Sequence, residues 1–451
     1  MESDISQAFK EELTCLICLA SLTNPVTISC GHSFCRACLC LSWEDKQLPV
    51  PCPTCRHPSQ QKDLRTNILL KRLVSIARQH SLMKYLSSEE HRCVTHKETK
   101  RIFCEENWIP LCQLCSDSQE HMGHRHCPIE AAAEGQMEKL LKQMASLWAK
   151  TQENQENLEA AKTMTSQWMD YVTLRKKMIR AEYRKLHPRL HEEERQHLEC
   201  VNHEGQTVLE ELRKSEAMMV QKGNQLIEMY QELMTMSQQP YVLLLQDLED
   251  MFMRSESVQL CLPQAMKPEL RALPITGLTE RSNCFRVNIA FENVTRFTYN
   301  IDRLLRNLRR FCSTSWCQGM TVESARHTFA ARGSQSFTSG KYYWEIDLRD
   351  SWDWVVGVCQ DDWLMDTRHQ IDSKISFLLL CVKVDTHYTL FSSFPGLQHY
   401  VEKPGGRVGV LVDCEAGCVS FLNVAKSSLI YSYPPGTFHP PVRPFFCTSH
   451  T

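Results

Sequence analysis

The sequence predicts a multidomain chain with two small modules built around cysteine and histidine, a long α-helical coiled coil and a C-terminal antiparallel β-sandwich. Three observations predict this fold class. Thirteen of the 23 cysteines lie in the first 127 of the 451 residues, a heptad pattern runs through residues 130–236, and short alternating strands follow from about residue 275. Because 451 residues exceed what one hydrophobic core usually holds, several domains are expected.

Composition narrows the functional classes. The formal net charge of -2 gives no overall field that would favour nucleic acid or an anionic membrane. The first residues, MESDISQAFKEEL, lack the basic and apolar parts of a signal peptide. The longest apolar run, ISFLLLCVKV, has about ten residues, against roughly 20 for a membrane span. We therefore expect a soluble protein in the cytoplasm, or alternatively the nucleus, where clustered thiols indicate metal binding rather than disulfides.

The first module, residues 1–80, has the spacing of two structural zinc sites. A C-x2-C turn offers two thiolates from one small loop, and eight donors complete two closed tetrahedral sites. Such sites replace the hydrophobic core that a short segment lacks. The alternative is a reduced cysteine cluster without metal. The candidate zinc ligands are Cys15, Cys18, Cys30, His32, Cys35, Cys38, Cys52 and Cys55. Cys40 is a spare thiol, and apolar side chains at helical spacing from Ile68 to Ile76 predict a helix after the cluster.

A second cluster of donors fills residues 88–129, after a short segment, 80–91, that is interpreted as a linker. Its candidate zinc ligands are Cys93, His96, Cys104, Asn107, Cys112, Cys115, His121 and His124. His126 and Cys127 follow closely; they are either additional donors or ordinary loop residues.

Residues 130–236 predict a coiled coil, because one apolar position recurs every seven residues. The repeating positions are Met137, Met144, Thr151, Leu158, Thr165, Val172, Ile179 and Leu186, and Asn154 and Arg175 interrupt the pattern. A lone helix cannot bury such a stripe. The partner is therefore a helix of a second chain or a bundle within one chain. We favour a homodimer, because the first helix break is Pro188.

Residues 237–270 are interpreted as a linker with a short amphipathic piece, and residues 271–451 predict the β-sandwich. In YYWEIDL, Tyr342, Trp344 and Ile346 share one face of a strand. Further strands are predicted in WVVGVC, ISFLLLCVKV, YTLFSSF, RVGVLVD and CVSFLNV. Trp352, Trp354 and Trp363 fall in or near loops, where they bind a partner or pack in the core. No arrangement of nucleophile and base suggests a hydrolytic site.

These motifs resemble those of a known family. The C3HC4 order, with CGHSFC and CPTCR, resembles a RING finger, and the second cluster is similar to a type 2 B-box. The stretches GSQSFTSGKYYWEIDL, RVGVLVDCEAGCVSFLNV and FHPPVRPFF resemble a PRY-SPRY (B30.2) domain, although the PRY part lacks a Leu-Asp-Pro motif. RING, B-box, coiled coil and SPRY follow one another as in the tripartite-motif family.

The resemblance implies how the ligands pair. In the RING, Cys15, Cys18, Cys35 and Cys38 would hold one zinc, and Cys30, His32, Cys52 and Cys55 the other. In the B-box, Cys93, His96, Cys112 and Cys115 would form one site. Cys104, Asn107, His121 and His124 would form the second. The family usually has aspartate in place of Asn107, and a neutral amide oxygen is a poorer zinc ligand than a carboxylate. This second site is therefore weak, or water or a nearby side chain completes it.

The resemblance also implies a RING-type E3 ubiquitin ligase, which positions a ubiquitin-charged conjugating enzyme (E2) and selects a protein substrate through its SPRY domain. Ile17, Trp43 and Pro53 match E2-contact positions, and Arg56 matches the residue that bridges E2 and ubiquitin. Glu12 and Asn67 match weaker ubiquitin contacts. Four of them have a simpler alternative: a packed tryptophan at 43, a solvated arginine at 56, a helix-end acid at 12 and a helix cap at 67.

Two other functions compete with the ligase. The first is a dimeric zinc-binding adaptor with weak or no ligase activity. The second is a zinc-finger protein that binds nucleic acid, for which the basic runs LRKKMIRAEYRK and RLLRNLRR are the candidates. Since neither cysteine cluster has C2H2 spacing or a basic recognition helix, nucleic acid is not expected as a partner.

Overall fold

The computed structural model of the chain describes residues 10–43, 49–59, 64–186, 188–246, 248–293, 328–348, 353–360, 376–384, 387–393 and 396–449. The chain divides into two compact units. Unit 1 consists of Met1–Gln155 and Val220–Pro263, and unit 2 of Glu156–Met219 and Gln264–Thr451. No helix within the described ranges has an apolar stretch long enough to cross a bilayer.

Unit 1 begins with the two cysteine-rich modules, which contain little regular structure. Their short strands pair as β1 (Pro25–Thr27) with β2 (Ser33–Cys35), β3 (Val50–Pro51) with β4 (Pro58–Ser59), and β5 (Ile102–Cys104) with both β6 (Ile109–Leu111) and β7 (His126–Pro128). Their helices are α1 (Arg36–Ser42), α2 (Ile68–Ser87) and α3 (Gln113–Ser116). Helix α2 includes most of the segment that the sequence suggested as a linker, because Leu82 and Leu86 are buried against the rest of the unit.

Two long helices follow, α4 (Ile129–Tyr183) and α5 (His191–Gln238), joined through a short 3-10 helix, Pro188–Leu190. In unit 1, Met137, Leu140, Met144 and Leu147 of α4 share a core with α5. In unit 2, the indole Nε1 of Trp168 donates a hydrogen bond of 2.8 Å to the Gly205 carbonyl. Within each unit the two helices therefore pack antiparallel to each other.

This packing corrects the prediction about the apolar stripe of α4. The sequence favoured a second chain as its cover, but the structure covers it with α5 of the same chain. The physical reason is the break around Pro188: proline lacks the amide hydrogen of a helix interior and lets the chain reverse there. A homodimer consequently remains a prediction.

The predicted linker 237–270 is also structured. It contains a 3-10 helix, Tyr241–Leu245, and helix α6 (Glu249–Gln259). Tyr241, Leu244 and Phe252 are buried in the core of unit 1. The apolar residues that suggested a short amphipathic piece thus bind the helical pair.

Unit 2 contains the predicted antiparallel β-sandwich and helix α7 (Leu278–Asn283). Among the described residues, one sheet has four strands in the order β10 (Lys341–Asp347), β15 (Arg407–Asp413), β16 (Cys418–Asn423) and β17 (Ser428–Ser432). The other has seven, in the order β14 (Leu397–His399), β13 (His387–Ser392), β12 (Ser376–Val384), β11 (Trp354–Gln360), β18 (Val442–Ser449), β9 (Thr328–Gly333) and β8 (Phe291–Asn293).

The strands predicted from the sequence are confirmed as β10, β11, β12, β13, β15 and β16. Trp354 is fully buried, so it belongs to the core rather than to a partner-binding loop. Trp352, Trp363 and most of the altered PRY segment lie outside the described residues. On the other face of β10, Tyr343 is buried whereas Asp347 is exposed, and the backbone of residues 285–287 hydrogen-bonds to Tyr343 along the edge of the strand.

Candidate functional site

The structure brings the RING donors together in the interleaved pairs that the resemblance implies. Cys15, Cys18, Cys35 and Cys38 form one group, and Cys30, His32, Cys52 and Cys55 form the other. The ligand atoms of each group lie within 4.8 Å of one another. With Zn–S near 2.3 Å and Zn–N near 2.0 Å, a zinc tetrahedron has edges of roughly 3.4–3.8 Å. The Sγ atoms of Cys18 and Cys35 are 3.9 Å apart, so the first group fits a zinc ion.

Backbone amides support these thiolates. The amide of Thr23 donates to Cys35 Sγ at 3.1 Å, and the amide of Cys35 donates to Cys15 Sγ at 3.3 Å. Such outer hydrogen bonds orient the ligands and favour their charged form. Cys40 belongs to neither group, and burial raises the pKa of its thiol to about 11, which keeps it protonated.

The first B-box group is equally compact. His96 Nδ1 lies 3.6 Å from Cys93 Sγ and 3.4 Å from both Cys112 Sγ and Cys115 Sγ. Hydrogen bonds, chiefly from the backbone of His96, lower the pKa of Cys93 to about 6. Three thiolates and one imidazole at these separations match a closed zinc site.

The second B-box group contains Cys104, His121 and His124. His124 Nδ1 lies 3.4 Å from Cys104 Sγ, and the Asn107 amide oxygen lies 3.3 Å from the same sulfur. Asn107 therefore lies beside this group, and its role as the fourth ligand, which the resemblance implies, stays a prediction. His126 Nε2 is buried without a hydrogen-bond partner, but His126 is not part of the group.

Three of the predicted E2-contact residues are accessible on the zinc loops. Ile17, in the turn between Cys15 and Cys18, is 37% exposed. Pro53 and Arg56 are exposed in the loop that carries Cys52 and Cys55. The Arg56 amide donates to the Cys52 carbonyl at 3.0 Å, and its φ of 60° places the backbone in the left-handed region. Arg56 thus ends the turn of the zinc loop as an exposed residue.

Of the other three predicted residues, Trp43 and Asn67 have structural roles, and Glu12 lies outside the zinc loops. Trp43 is buried, and its Nε1 donates to the Pro51 carbonyl at 3.0 Å, which ties the end of α1 to the loop that contains Pro53. Asn67 caps α2 by accepting from the Leu70 amide at 3.1 Å. Glu12 is exposed at the end of a helical turn. These placements agree with the simpler alternatives; the E2 contact of Trp43 and the ubiquitin contacts of Asn67 and Glu12 stay predictions.

The RING packs against the helices of unit 1 through Arg78 of α2. Its guanidinium donates to Thr23 Oγ1 at 2.9 Å and lies 5.6 Å from the centre of the Tyr241 ring. On the RING side, Thr23 donates to the Ser237 carbonyl at 3.3 Å, and Cys38 Sγ lies 4.0 Å from Met234 Sδ. The Ser21–Thr23 segment, which follows the loop that carries Ile17, is therefore anchored to the helices of unit 1.

Sequence reasoning missed Arg78 and Glu106. In the sequence, Arg78 looked like one more charged residue on the exposed face of a helix. Only its position four residues from both Val74 and Leu82, and so on their face of the helix, could have suggested that it makes contacts. Glu106 Oε2 lies 4.0 Å from Cys104 Sγ and accepts from the Arg125 amide at 2.7 Å. The sequence did contain an indication of this role, because Glu106 directly precedes Asn107, the position at which the family usually has aspartate.

Comparisons with known families match both ends of the chain. A zinc finger of C3HC4-type, RING, matches residues 15–55, and an SPRY domain matches residues 341–451. Among solved structures, the PSpry domain of TRIM65 is similar at 15% identity with a TM-score of 0.27, covering 39% of this chain and 97% of that one.

Curated relatives match over the whole length. Mouse tripartite motif-containing protein 43C is 50% identical over 454 residues, and human tripartite motif-containing proteins 49 and 51 are 47% and 45% identical over 457 and 454 residues. Each alignment covers 100% of both chains. With RING-type and B-box-like donor groups, a large helical region and a C-terminal SPRY sandwich, this chain belongs to the tripartite-motif family.

Proposed function

We propose that the chain is a RING-type E3 ubiquitin ligase that positions a ubiquitin-charged E2 and selects its protein substrate through the SPRY domain. The observation that carries the proposal is the joint exposure of Ile17, Pro53 and Arg56 on loops that the two donor groups of the RING fix. An apolar patch of Ile17 and Pro53 beside the guanidinium of Arg56 is the kind of surface that would bind an E2 carrying ubiquitin.

Zinc, when bound, holds the two loops in place, and the catalytic work falls to the side chains that the loops present. Ile17 and Pro53 would pack against the E2. Arg56 would donate hydrogen bonds to carbonyl acceptors of E2 and ubiquitin at once, since its guanidinium carries five donors in a planar fork. The substrate lysine amine attacks the E2 thioester, and the ligase accelerates this step by restricting the orientation of ubiquitin.

The other predicted residues would support this surface. Trp43 packs against Pro51 and fixes the loop that carries Pro53 and Arg56. Glu12 and Asn67 lie outside that loop, and Asn67 is already engaged with Leu70 and Thr27, so we assign them at most secondary contacts with ubiquitin.

Single-turnover discharge of ubiquitin from a charged E2 to free lysine tests the proposal. We expect Arg56→Ala and Ile17→Ala each to reduce the discharge rate by ten-fold or more. Both side chains are exposed, so the zinc content and the unfolding midpoint should stay unchanged. Arg213→Ala is a matched control, because Arg213 is exposed on α5, far along the sequence from the RING.

Two outcomes would contradict the ligase. If both variants discharge ubiquitin at the wild-type rate, the assigned surface is wrong. If the wild-type chain accelerates discharge no more than the E2 alone, the adaptor function is favoured, in which the RING is a folded zinc module and the SPRY domain and helices carry the binding.

A further inference from the structure

The four donor groups among the described residues differ in charge. The RING groups contain four and three thiolates, and the first B-box group contains three. The second B-box group has one thiolate, Cys104, with the imidazoles of His121 and His124 and the neutral amide oxygen of Asn107. A single negative ligand leaves a bound Zn²⁺ with uncompensated positive charge, and zinc affinity falls as thiolates are replaced by neutral oxygen.

A carboxylate stands beside this group without joining it. Asn107 Oδ1 is 3.3 Å from Cys104 Sγ, which matches a tetrahedral edge, whereas Glu106 Oε2 is 4.0 Å away. The Arg125 amide donates to the same Glu106 oxygen at 2.7 Å and holds it outside the tetrahedron. Glu106 therefore supplies negative charge near the metal position but not a ligand atom.

The second B-box group also lies next to the start of helix α4. Cys104 in β5 pairs directly with His126 in β7, and β7 runs into α4. The Ile129 amide donates to the Arg101 carbonyl at 3.0 Å, and the Ile129 side chain is fully buried in the core of unit 1. Metal bound to Cys104 would hold β5 in place, and β5 holds the strand from which α4 begins.

From this geometry we propose that the second B-box site is an exchangeable zinc site. It fills and empties at free zinc concentrations at which the other three sites stay occupied. The neutral ligand Asn107 sets its low affinity, and the carboxylate of Glu106 limits the loss of affinity by partly balancing the charge. Occupancy of this site controls how firmly β7 and the first turns of α4 are held.

A graded series of zinc chelators applied to the full-length chain tests the proposal, with released zinc counted at each strength. We expect about one quarter of the bound zinc to leave in a separate early phase. Asn107→Asp keeps the shape of the side chain and adds a negative charge. The chelator strength needed to release this zinc should therefore rise by ten-fold or more, toward that of the tight sites. Asn202→Asp is the matched control, since it adds the same charge at an exposed position on α5 and should leave the early phase unchanged.

A second pair of variants tests the role of Glu106. Glu106→Gln should lower the chelator strength that releases the early zinc by several-fold. Glu105→Gln, which changes the neighbouring exposed acid, should leave it unchanged. Hydrogen exchange of residues 126–135 should accelerate when the early phase has been released and stay slow in Asn107→Asp at the same chelator strength.

Three results would overturn the proposal. Release of all zinc in one phase would show that the site is not weaker than the others. An unchanged early phase in Asn107→Asp would remove Asn107 as its cause. Unchanged exchange at residues 126–135 after early release would separate the site from the start of α4.

Discussion

At the scale of single residues, unit 2 contains a buried group of ionisable side chains. Arg175 of α4 is buried and donates to the carbonyls of Leu429 and Ile430 in β17. His399 of β14 is buried with neither ring nitrogen hydrogen-bonded, and its ring centre lies 4.3 Å from that of Tyr431. Burial, and then the charge of Arg175, lower the pKa of His399 to about 3. The folded chain thus requires a neutral histidine there.

This requirement predicts acid sensitivity of unit 2. The unfolded chain has an ordinary histidine pKa near 6.5, so it binds a proton at pH values where folded His399 does not. The stabilising contribution is present above about pH 6.5 and is lost progressively as the pH falls toward 3. One pKa unit corresponds to about 1.4 kcal/mol, so the loss should reach several kcal/mol. Hydrogen exchange of residues 428–432 at pH 7.5 and pH 5.0 measures it.

His399→Leu is the comparison for this prediction, because it fills similar space without a titrating group. The two proteins share every other titrating group and the same zinc ligands, so the difference between them isolates His399. The variant should lose less protection on acidification than the wild type. Equal losses in the two proteins would show that His399 does not carry the effect.

At the scale of elements, a glycine sets how closely α4 and α5 approach in unit 2. A Cβ atom at Gly205 would lie 2.9 Å from both γ-carbons of Val172. Valine is held in one rotamer in a helix and cannot turn aside. The Gly205 carbonyl also accepts the hydrogen bond from Trp168, which depends on the same close approach.

Gly205→Ala should therefore destabilise unit 2 although alanine is the better helix former. Overpacking costs about 1–3 kcal/mol, which outweighs the roughly 1 kcal/mol gained in helix propensity. Gly135→Ala is the matched variant, because no atom lies within 4 Å of a Cβ there, and it should stabilise the chain by about 0.5–1 kcal/mol. Chemical denaturation checks both; a stabilising Gly205→Ala would contradict the packing argument.

The elements differ in how far the sequence predicted them. Cysteine spacing located the candidate donors, and two-residue alternation located β10, because both patterns are local consequences of ligand or strand geometry. The pairing of the donors into groups came from the family resemblance. The cover of the α4 stripe was not predictable, since a heptad shows that an apolar face needs a partner but not which chain supplies it. Arg78 and His399 were missed for a related reason: the contacts of Arg78 and the burial of His399 depend on residues distant in the sequence.

At the scale of the whole molecule, the helix pairing has a symmetry that bears on assembly. Val172 lies opposite Gly205 in unit 2, and Asn154 lies opposite Gly223 in unit 1; both pairs of residue numbers add up to 377. The pairing is therefore symmetric about Pro188 and Arg189. Two antiparallel chains aligned at that point could form the same pairs between chains, which is the definition of an exchanged dimer. We propose this arrangement for the homodimer.

Pro188→Ala should favour the dimer, because it allows α4 and α5 to continue as one helix. Sedimentation equilibrium of the full-length chain should show a several-fold larger dimer fraction for the variant than for the wild type. Pro435→Ala, at an exposed position of the β-sandwich unit, should match the wild type. Monomers at every concentration in both the wild type and Pro188→Ala would reject the dimer.

The anchoring of the RING by Arg78 has a consequence for how such a protein can reach its target. A RING joined to the rest of its protein by a flexible linker could reach any point within the length of that linker. Here Arg78 joins the Ser21–Thr23 segment to Tyr241, so the RING is held to the helical part of unit 1. For the proposed ligase, the orientation of the RING would then follow that of the unit 1 helices, and residues added to a linker would not change it.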